Sequence, residues 1–279
     1  MLTDAQKLDY AKNGYLVIEN FKNDDQIAKL RERAMSIVDD FDANGTRSIF
    51  TTDDQVRKTD QYFLTSGDKI RCFFEEQAFN DKGELGQPKH LSINKIGHAM
   101  HDIDPEFDTF SRDPALAELA VDLGMVDPKI WQSMYIFKQP GIGGAVNWHQ
   151  DATFFVTEPQ SVTTFWFALE DATLENGCLW VEPGGHETPL REIFTVENEQ
   201  LKMTQVNDMP WPTESTAIPV EVKKGTLVCF QGRLPHYSAP NTSDKSRHAY
   251  TLHVTDGTAS YSDKNWIQRG SDFPVRGFN

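Results

Sequence analysis

The sequence has few cysteines and no run of basic residues. Its 279 residues include only three cysteines, Cys72, Cys178 and Cys229, which lie far apart and form no C-x-x-C pair. We therefore expect free thiols rather than a disulfide framework or a thiolate metal site. Lysine and arginine total 27 against 42 aspartate and glutamate residues, which gives a formal charge of −15. A chain of this charge repels phosphate backbones, so no nucleic-acid partner is expected.

Long apolar runs and targeting signals are also missing. The longest apolar stretches have the length of a strand, so no transmembrane helix is predicted and no membrane partner is expected. Residues 1–6 lack the basic and apolar regions of a signal peptide, and residues 276–279 do not match a peroxisomal address. We expect a cytoplasmic protein, with a monomer favoured over an oligomer.

The order of the predicted elements indicates a mainly β protein with flanking α-helices. One helix is predicted over residues 4–12 behind an N-cap at Thr3, a second opens at Asp24, and a third runs from Asp113 to about Leu123. After two isolated strands at 15–18 and 91–96, period-two strands are predicted near residues 131–138, 147–155, 161–169, 178–181, 218–222, 226–230 and 247–255. Because helices and strands do not alternate, the pattern predicts a two-sheet jelly roll, the cupin-like double-stranded β-helix.

The length suits a single large domain. We expect residues 1–279 to comprise an N-terminal helical part over about 1–125, a jelly-roll core over about 126–257 and a C-terminal tail over 258–279. Residues 42–69 are polar and predict a loop near an opening. The connection over 187–217 is long for a compact domain, which often indicates a lid. Its segment 209–212 is either a substrate cover or a packed surface loop.

The strongest chemical signal is the H-x-D motif within residues 147–151 (N-W-H-Q-D). In an extended strand, residues i and i+2 point to the same side, so His149 and Asp151 can offer ligand atoms to one point. They are two of the three ligands in the 2-His-1-carboxylate set that holds non-haem Fe(II). The motif alone is common, and a surface turn is the alternative interpretation.

A third ligand is available far downstream. His236 follows the predicted strand at 226–230, which can pass close to His149 and Asp151 in a jelly roll. Eleven residues later, Arg247 opens another predicted strand. Arginine supplies the planar two-pronged donor that a carboxylate accepts, so this combination suits a metal with a dicarboxylate co-substrate.

With these ligands and this arginine, the chain resembles the phytanoyl-CoA dioxygenase family of Fe(II)/2-oxoglutarate oxygenases. Matching segments are residues 134–141 (M-Y-I-F-K-Q-P-G), 174–179 (L-E-N-G-C-L) and 183–186 (P-G-G-H). The resemblance extends from about Tyr10 to about Val254. In detail it is greater to the phytanoyl-CoA dioxygenase domain-containing branch than to the peroxisomal enzyme that names the family.

The resemblance implies that Fe(II) is held by His149, Asp151 and His236, and that Arg247 binds the distal carboxylate of 2-oxoglutarate. Ser238, two residues after His236, can add a hydroxyl to the same carboxylate. Other positions of the branch line the co-substrate pocket, and they correspond here to Lys95, Met134 and Trp166. For Met134 and Trp166, plain core packing is the alternative.

The implied activity is hydroxylation of an aliphatic C–H bond of a small metabolite or an acyl-CoA-like substrate. O2 is the oxidant, and 2-oxoglutarate is converted to succinate and CO2. The family also contains halogenases, in which a small residue replaces the metal-binding carboxylate. Because Asp151 is present, we expect hydroxylation.

Two other functions stay open at this point. The first is a non-catalytic protein that binds 2-oxoglutarate or another ligand on the same fold. The second is a Zn(II)-dependent hydrolase or isomerase with the same ligands, which gives Arg247 no role. Five further histidines are expected to be structural or substrate-facing: His98, His101, His186, His248 and His253.

Overall fold

A computed structural model of the chain describes residues 1–43, 45, 48–49, 61–197 and 200–278. In this part the strands form a seven-stranded antiparallel sheet, a four-stranded antiparallel sheet and two small two-stranded sheets. The mainly β architecture expected from the sequence is confirmed. The predicted polar loop at 42–69 lies largely outside the described residues, and at its end Gln61–Leu64 form a helical turn that the sequence did not predict.

The described helices lie mostly before the first long strand. They are α1 Asp4–Asn13, α2 Asp24–Asp40, α3 Gln61–Leu64, α4 Met100–Ile103, α5 Pro105–Ser111 and α6 Pro114–Asp122. Short 3-10 turns cover Lys89–Leu91, Asp151–Thr153 and Gly185–Glu187.

The described strands occupy both halves of the chain. Those of the first half are β1 Tyr15–Ile18, β2 Ile70–Phe74, β3 Ile93–His98, β4 Pro128–Ile136 and β5 Val146–His149. Those of the second half are β6 Thr157–Glu158, β7 Thr163–Ala168, β8 Leu179–Val181, β9 Glu192–Glu197, β10 Gln200–Gln205, β11 Ile218–Val220, β12 Leu227–Gln231, β13 His236–Ser238, β14 Ala249–Asp256 and β15 Ser260–Tyr261.

Side-chain caps determine where the predicted helices begin. The Thr3 hydroxyl accepts from the backbone of Gln6, and the Gln6 side chain accepts from the backbone of Thr3, which is a capping box. Gly14 ends this helix in the left-handed region at φ 80°, where glycine has no steric penalty. At α6, Asp113 caps the helix and Pro114 occupies its first position. The predicted starts of both helices are confirmed.

The two main sheets combine strands that are far apart in sequence. The large sheet has the order β1-β12-β7-β14-β4-β3-β2, and the small sheet has the order β11-β8-β13-β5. Three strands of the large sheet, β1, β2 and β3, come from the part of the chain before residue 125. The N-terminal part is therefore built into the sheet as well as covering it.

The large sheet has two different faces because side chains alternate along each strand. On β7, Phe165 and Phe167 belong to the apolar cluster that also contains residues of α2, α5 and α6. Trp166 and Ala168 of the same strand belong to a second cluster with residues of the small sheet. The helices thus cover one face of the large sheet, and the small sheet faces the other.

The long connection at 187–217 is not without secondary structure. Strands β9 and β10 form an antiparallel hairpin in which Glu192 pairs with Gln205, so the absence of predicted strands here is wrong. Beyond the hairpin, the Trp211 indole lies 4.8 Å from the Arg191 guanidinium. Arg191 also donates to the Pro210 carbonyl at 3.1 Å, which fixes this segment.

The structure also shows the state of the cysteines and the length of the helices. Cys72, Cys178 and Cys229 are all buried and unbonded, which confirms the prediction of free thiols. No helix in the described part of the chain is both long and apolar enough to cross a bilayer.

Replacing Leu30 with Ala should destabilise the fold, because Leu30 on α2 is only 1% exposed within the core. We expect a loss of about 2–5 kcal/mol in the free energy of unfolding, measured with urea. Leu8 on α1 is 72% exposed and provides the matched control, for which Leu8→Ala should cost less than about 0.5 kcal/mol. Equal losses in the two variants would contradict the packing of α2 described above.

Candidate metal and anion site

A cavity of about 570 Å³ lies between the large and the small sheet. The large sheet contributes inward-facing residues such as Thr164 and Trp166, and the small sheet contributes residues of β5 and β13. The cavity therefore uses the faces of the two sheets that the helices do not cover.

Three candidate metal ligands meet at one end of this cavity. Strand β13 pairs antiparallel with β5 in a register that puts His236 directly opposite His149. The Asp151 Oδ1 atom lies 3.6 Å from His149 Nε2 and 3.7 Å from His236 Nε2. One ligand atom from each residue lies within 4.8 Å of the others, which is close enough for a single metal ion.

The H-x-D motif reaches this geometry differently from the sequence prediction. Strand β5 ends at His149, and Asp151 begins a 3-10 turn instead of continuing the strand, so the strand predicted over 147–155 is confirmed as far as His149 and is wrong beyond it. The buried Gln150 side chain holds the bend, donating to the Arg233 carbonyl at 2.7 Å and accepting from the Arg191 backbone at 3.0 Å. The carboxylate is thus aimed by a turn.

Backbone carbonyls orient both imidazoles. His149 Nδ1 lies 2.8 Å from the Asn147 carbonyl, and His236 Nδ1 lies 3.0 Å from the Leu234 carbonyl. A carbonyl only accepts, so we assign the proton to Nδ1 in each ring and a lone pair to Nε2. Burial, together with the nearby His236, lowers the pKa of His149 to about 3. Both the tautomer and the neutral form of His149 suit a metal ligand.

The second oxygen of Asp151 is held by the large sheet. Asp151 Oδ2 accepts a hydrogen bond from the Thr164 hydroxyl and lies 3.4 Å from His253 Nε2. Burial raises the pKa of this carboxyl, but His236, His253 and His149 outweigh that effect and hold the pKa well below its usual range. Asp151 is therefore an anion that offers one oxygen, Oδ1, towards the two imidazoles.

Arg247 lies in the same cavity and is 1% exposed. Its Nε donates to the Gly177 carbonyl at 3.1 Å, and its guanidinium lies 5.4 Å from the centre of the Trp166 ring. Burial lowers the pKa of Arg247 to about 10, so it is a cation at neutral pH. Its Nη1 atom is buried without a hydrogen-bond partner among the described residues, which a planar anion such as a carboxylate would supply.

The other residues implied by the resemblance line this cavity too. Lys95, Met134, Trp166 and Ser238 all face it. Lys95 Nζ lies 3.9 Å from Met134 Sδ, and Met134 and Trp166 both pair with Thr251 in the large sheet. Met134 and Trp166 are consequently cavity residues as well as packing residues.

Sequence reasoning missed two residues of the site, Lys138 and Thr164, and named His253 only as structural or substrate-facing. Lys138 stands in the matching segment 134–141, but nothing in its spacing indicated a role. Thr164 and His253 lie opposite each other on adjacent strands β7 and β14. Period-two alternation puts Thr164 on the same face as Trp166, and this signal was available in the sequence.

The remaining histidines are mostly structural, as expected. His101 contacts Ser133, His186 contacts the Ala11 carbonyl, and His248 contacts the Tyr135 hydroxyl. His98 faces the cavity and lies 2.8 Å from the Ser66 hydroxyl.

Comparison with known proteins identifies the family. The sequence profile of phytanoyl-CoA dioxygenase (PhyH) matches residues 10–249. The chain belongs to the phytanoyl-CoA dioxygenase family. It is 46% identical to a phytanoyl-CoA dioxygenase of Arabidopsis thaliana over 271 residues, which cover 96% of this chain and 94% of the relative. It is 42% identical to a phytanoyl-CoA dioxygenase domain-containing protein 1 homolog of Dictyostelium discoideum, with 98% and 99% of the two chains covered.

Solved structures share the fold of this family member at low sequence identity. The non-heme alpha ketoglutarate dependent carbocyclase SnoK has a TM-score of 0.66 at 17% identity, with 99% of this chain and 96% of that chain covered. The epimerase SnoN in complex with Fe3+, alpha ketoglutarate and nogalamycin RO has a TM-score of 0.63 at 15% identity, with 98% and 97% covered. These likenesses confirm the jelly-roll fold.

Replacing Thr164 with Val removes the hydroxyl that holds Asp151 Oδ2 and should weaken metal binding by this phytanoyl-CoA dioxygenase family member. We expect the affinity for Mn(II), measured by calorimetry, to fall about 10–100-fold, as is usual when a group that hydrogen-bonds to a metal ligand is removed. Thr163→Val is the matched control, because the Thr163 hydroxyl contacts Tyr10 at 3.4 Å and not the carboxylate. Equal Mn(II) affinities in the two variants would contradict the role assigned to Thr164.

Proposed function

We propose that the chain is a single-domain Fe(II)- and 2-oxoglutarate-dependent dioxygenase that hydroxylates an aliphatic C–H bond of a small molecule and releases succinate and CO2. One observation carries the proposal. A single cavity contains two imidazoles with a carboxylate, and also a buried arginine whose Nη1 has no described partner. This combination suits a metal and a dicarboxylate together.

His149, Asp151 and His236 are the residues that would hold the iron. Two imidazole nitrogens and one carboxylate oxygen form the facial ligand set of non-haem Fe(II) oxygenases, whose open positions accept the co-substrate and O2. The bound iron and O2 supply the oxidising chemistry, and the chain contributes binding and orientation. The Thr164 hydroxyl holds Asp151 Oδ2, with His253 nearby, so Oδ1 is the oxygen that Asp151 would offer to the metal.

Arg247 would bind the distal carboxylate of 2-oxoglutarate. Its side chain is already fixed by Gly177 and Trp166, so little conformational entropy is lost when the carboxylate binds. Ser238 can donate a hydroxyl to the same carboxylate, and Lys95 adds positive charge to the cavity.

The rest of the cavity favours a small and largely apolar substrate. The remaining lining is rich in aromatic residues, among them Phe63, Phe154, Phe194, Trp211 and Trp266. The lysines and arginines among the described lining residues are Lys95, Lys138 and Arg247, and all three are buried. None of them is exposed to the phosphates of coenzyme A, so we favour a free metabolite over an acyl-CoA.

Replacing His149, Asp151 or His236 with Ala should abolish Fe(II)-dependent formation of succinate from 2-oxoglutarate. We expect a loss of at least about 100-fold, because a lost ligand costs more than a lost outer-shell partner. His90→Ala is the control, since His90 is exposed on the surface. The assay also separates the alternatives, because a ligand-binding protein or a Zn(II) hydrolase forms no succinate. Near wild-type succinate formation in any ligand variant would refute the assigned triad.

Replacing Arg247 should weaken the binding of 2-oxoglutarate but not of the metal. Arg247→Ala leaves a buried carboxylate without its partner, which costs on the order of 3–5 kcal/mol, or about two to four decades in affinity. Arg247→Lys keeps the charge, loses the fork and should have a smaller effect. The measurement is calorimetry with Mn(II) in place of iron, with Mn(II) affinity as the internal control. An unchanged affinity for 2-oxoglutarate in Arg247→Ala would show that another residue binds the distal carboxylate, and Lys95 would be the next candidate.

A further inference from the structure

A second buried cation lies beside Arg247. Lys138 follows β4 directly and is only 2% exposed. Its Nζ lies 2.8 Å from the Ser238 hydroxyl and 2.8 Å from the Gly144 carbonyl. No ion pair in the described part of the chain includes Lys138, so its charge is not neutralised there by a carboxylate. Burial and Arg247 together hold the pKa of Lys138 well below its usual range.

Backbone contacts hold Lys138 and Arg247 close together. Gly177 has φ 84°, its carbonyl accepts from Arg247 Nε, and a Cβ at this position would clash with the Lys138 side chain. The Lys138 carbonyl in turn accepts from the Arg247 backbone at 3.3 Å and from the Asn241 amide at 2.9 Å. Lys138 itself adopts φ 39°, which residues other than glycine rarely adopt. Such strain is retained where the surrounding contacts enforce it, often at functional sites.

Glu75 is the nearby acidic residue; its Oε2 is engaged elsewhere, whereas its buried Oε1 has no hydrogen-bond partner among the described residues. Its Oε2 accepts from the Asn94 amide at 2.9 Å and from the Gly144 backbone at 3.4 Å. Burial raises the pKa of Glu75, and its field raises that of Lys138, but the two form no ion pair. An anionic ligand placed between Lys138 and Arg247 would stabilise the charged form of Lys138, since an unpaired buried charge is costly.

The hydrogen bonds of Lys138 leave one of its N–H groups without a partner among the residues that the structure describes. In the charged form that an anion would stabilise, the Lys138 ammonium has three N–H donors and no acceptor, so the Ser238 oxygen accepts from it. The hydroxyl hydrogen of Ser238 is then free to donate in another direction, and Ser238 faces the cavity. Two of the three Lys138 donors are used by Ser238 and Gly144, which leaves the third for a ligand.

We propose that Lys138 is a second anchor for the distal carboxylate of 2-oxoglutarate, acting through its remaining N–H and by fixing the Ser238 hydroxyl as a donor. This inference rests on the proposed function. It makes Lys138 a binding and positioning residue that selects an oxo acid with a second carboxylate over one without it. Lys138 would not contact the other end of 2-oxoglutarate, which binds the metal.

The test compares two oxo acids on the Mn(II)-loaded protein. Lys138→Met removes the charge at nearly the same size, and affinities for 2-oxoglutarate and for 2-oxobutyrate, which lacks the distal carboxylate, are measured by calorimetry or displacement. We expect the preference for 2-oxoglutarate to fall at least about tenfold, since one charge-assisted hydrogen bond contributes that much. Lys129→Met is the matched control, because Lys129 lies at the other end of β4 and pairs with Asp127. It should keep the wild-type preference.

Two further variants separate a binding role from a structural one. Lys138→Arg keeps a buried cation and should recover part of the preference. Ser238→Ala should lower the preference, and the double variant Lys138→Met/Ser238→Ala should lose less than the sum of the single losses, because the two groups act together. If Lys138→Met unfolds, as judged by thermal melting, Lys138→Gln takes its place in the same comparison.

The outcomes for Lys138 and for the proposed function are distinguishable. Equal losses for both oxo acids, or an unchanged preference in a folded Lys138→Met variant, would overturn the role of Lys138 while leaving the dioxygenase intact. Failure of the wild-type protein to bind 2-oxoglutarate in the presence of Mn(II) would instead overturn the proposed function.

Discussion

The pairing of β13 with β5 is the constraint on which the metal site depends. This register puts His236 opposite His149, and side chains in a strand alternate between faces. A slip of one residue would turn His236 away from the cavity and remove one imidazole from the ligand set. Strand β13 also pairs with β8, where His236 lies opposite Val181, so the register is fixed from both sides.

Asp151 connects the two sheets through its two oxygens. Oδ1 faces the histidines of the small sheet, whereas Oδ2 accepts a hydrogen bond from Thr164 and lies 3.4 Å from His253 Nε2, both on the large sheet. At the metal end one anion lies among imidazoles, and beyond Trp166 the cavity holds the Arg247 cation. We infer that this opposite arrangement of charge suits a ligand that chelates a metal at one end and carries a carboxylate at the other.

The sequence predicted those features of the fold and the site whose signals are local. Helix caps such as Thr3 and Asp113 and the period-two strands depend on neighbouring residues, and most of these predictions are confirmed. The H-x-D motif is equally local and its two side chains do meet His236, whereas their role as metal ligands stays a prediction. Lys138 could not be predicted, because its meaning comes from Ser238, a residue 100 positions away that only the fold brings near. The β9–β10 hairpin had a period-two signal that the length of its connection obscured. The turn at Asp151 depends on the burial of Gln150, which no local pattern indicates.

The most direct test of this account is a crystal structure of the protein grown without oxygen in the presence of Mn(II) and 2-oxoglutarate. The account predicts one metal ion bound by His149 Nε2, His236 Nε2 and the single Asp151 oxygen Oδ1, with Oδ2 still bonded to Thr164. It also predicts the distal carboxylate of 2-oxoglutarate against the Arg247 guanidinium. A metal bound through both oxygens of Asp151, or a distal carboxylate directed away from Arg247, would contradict it.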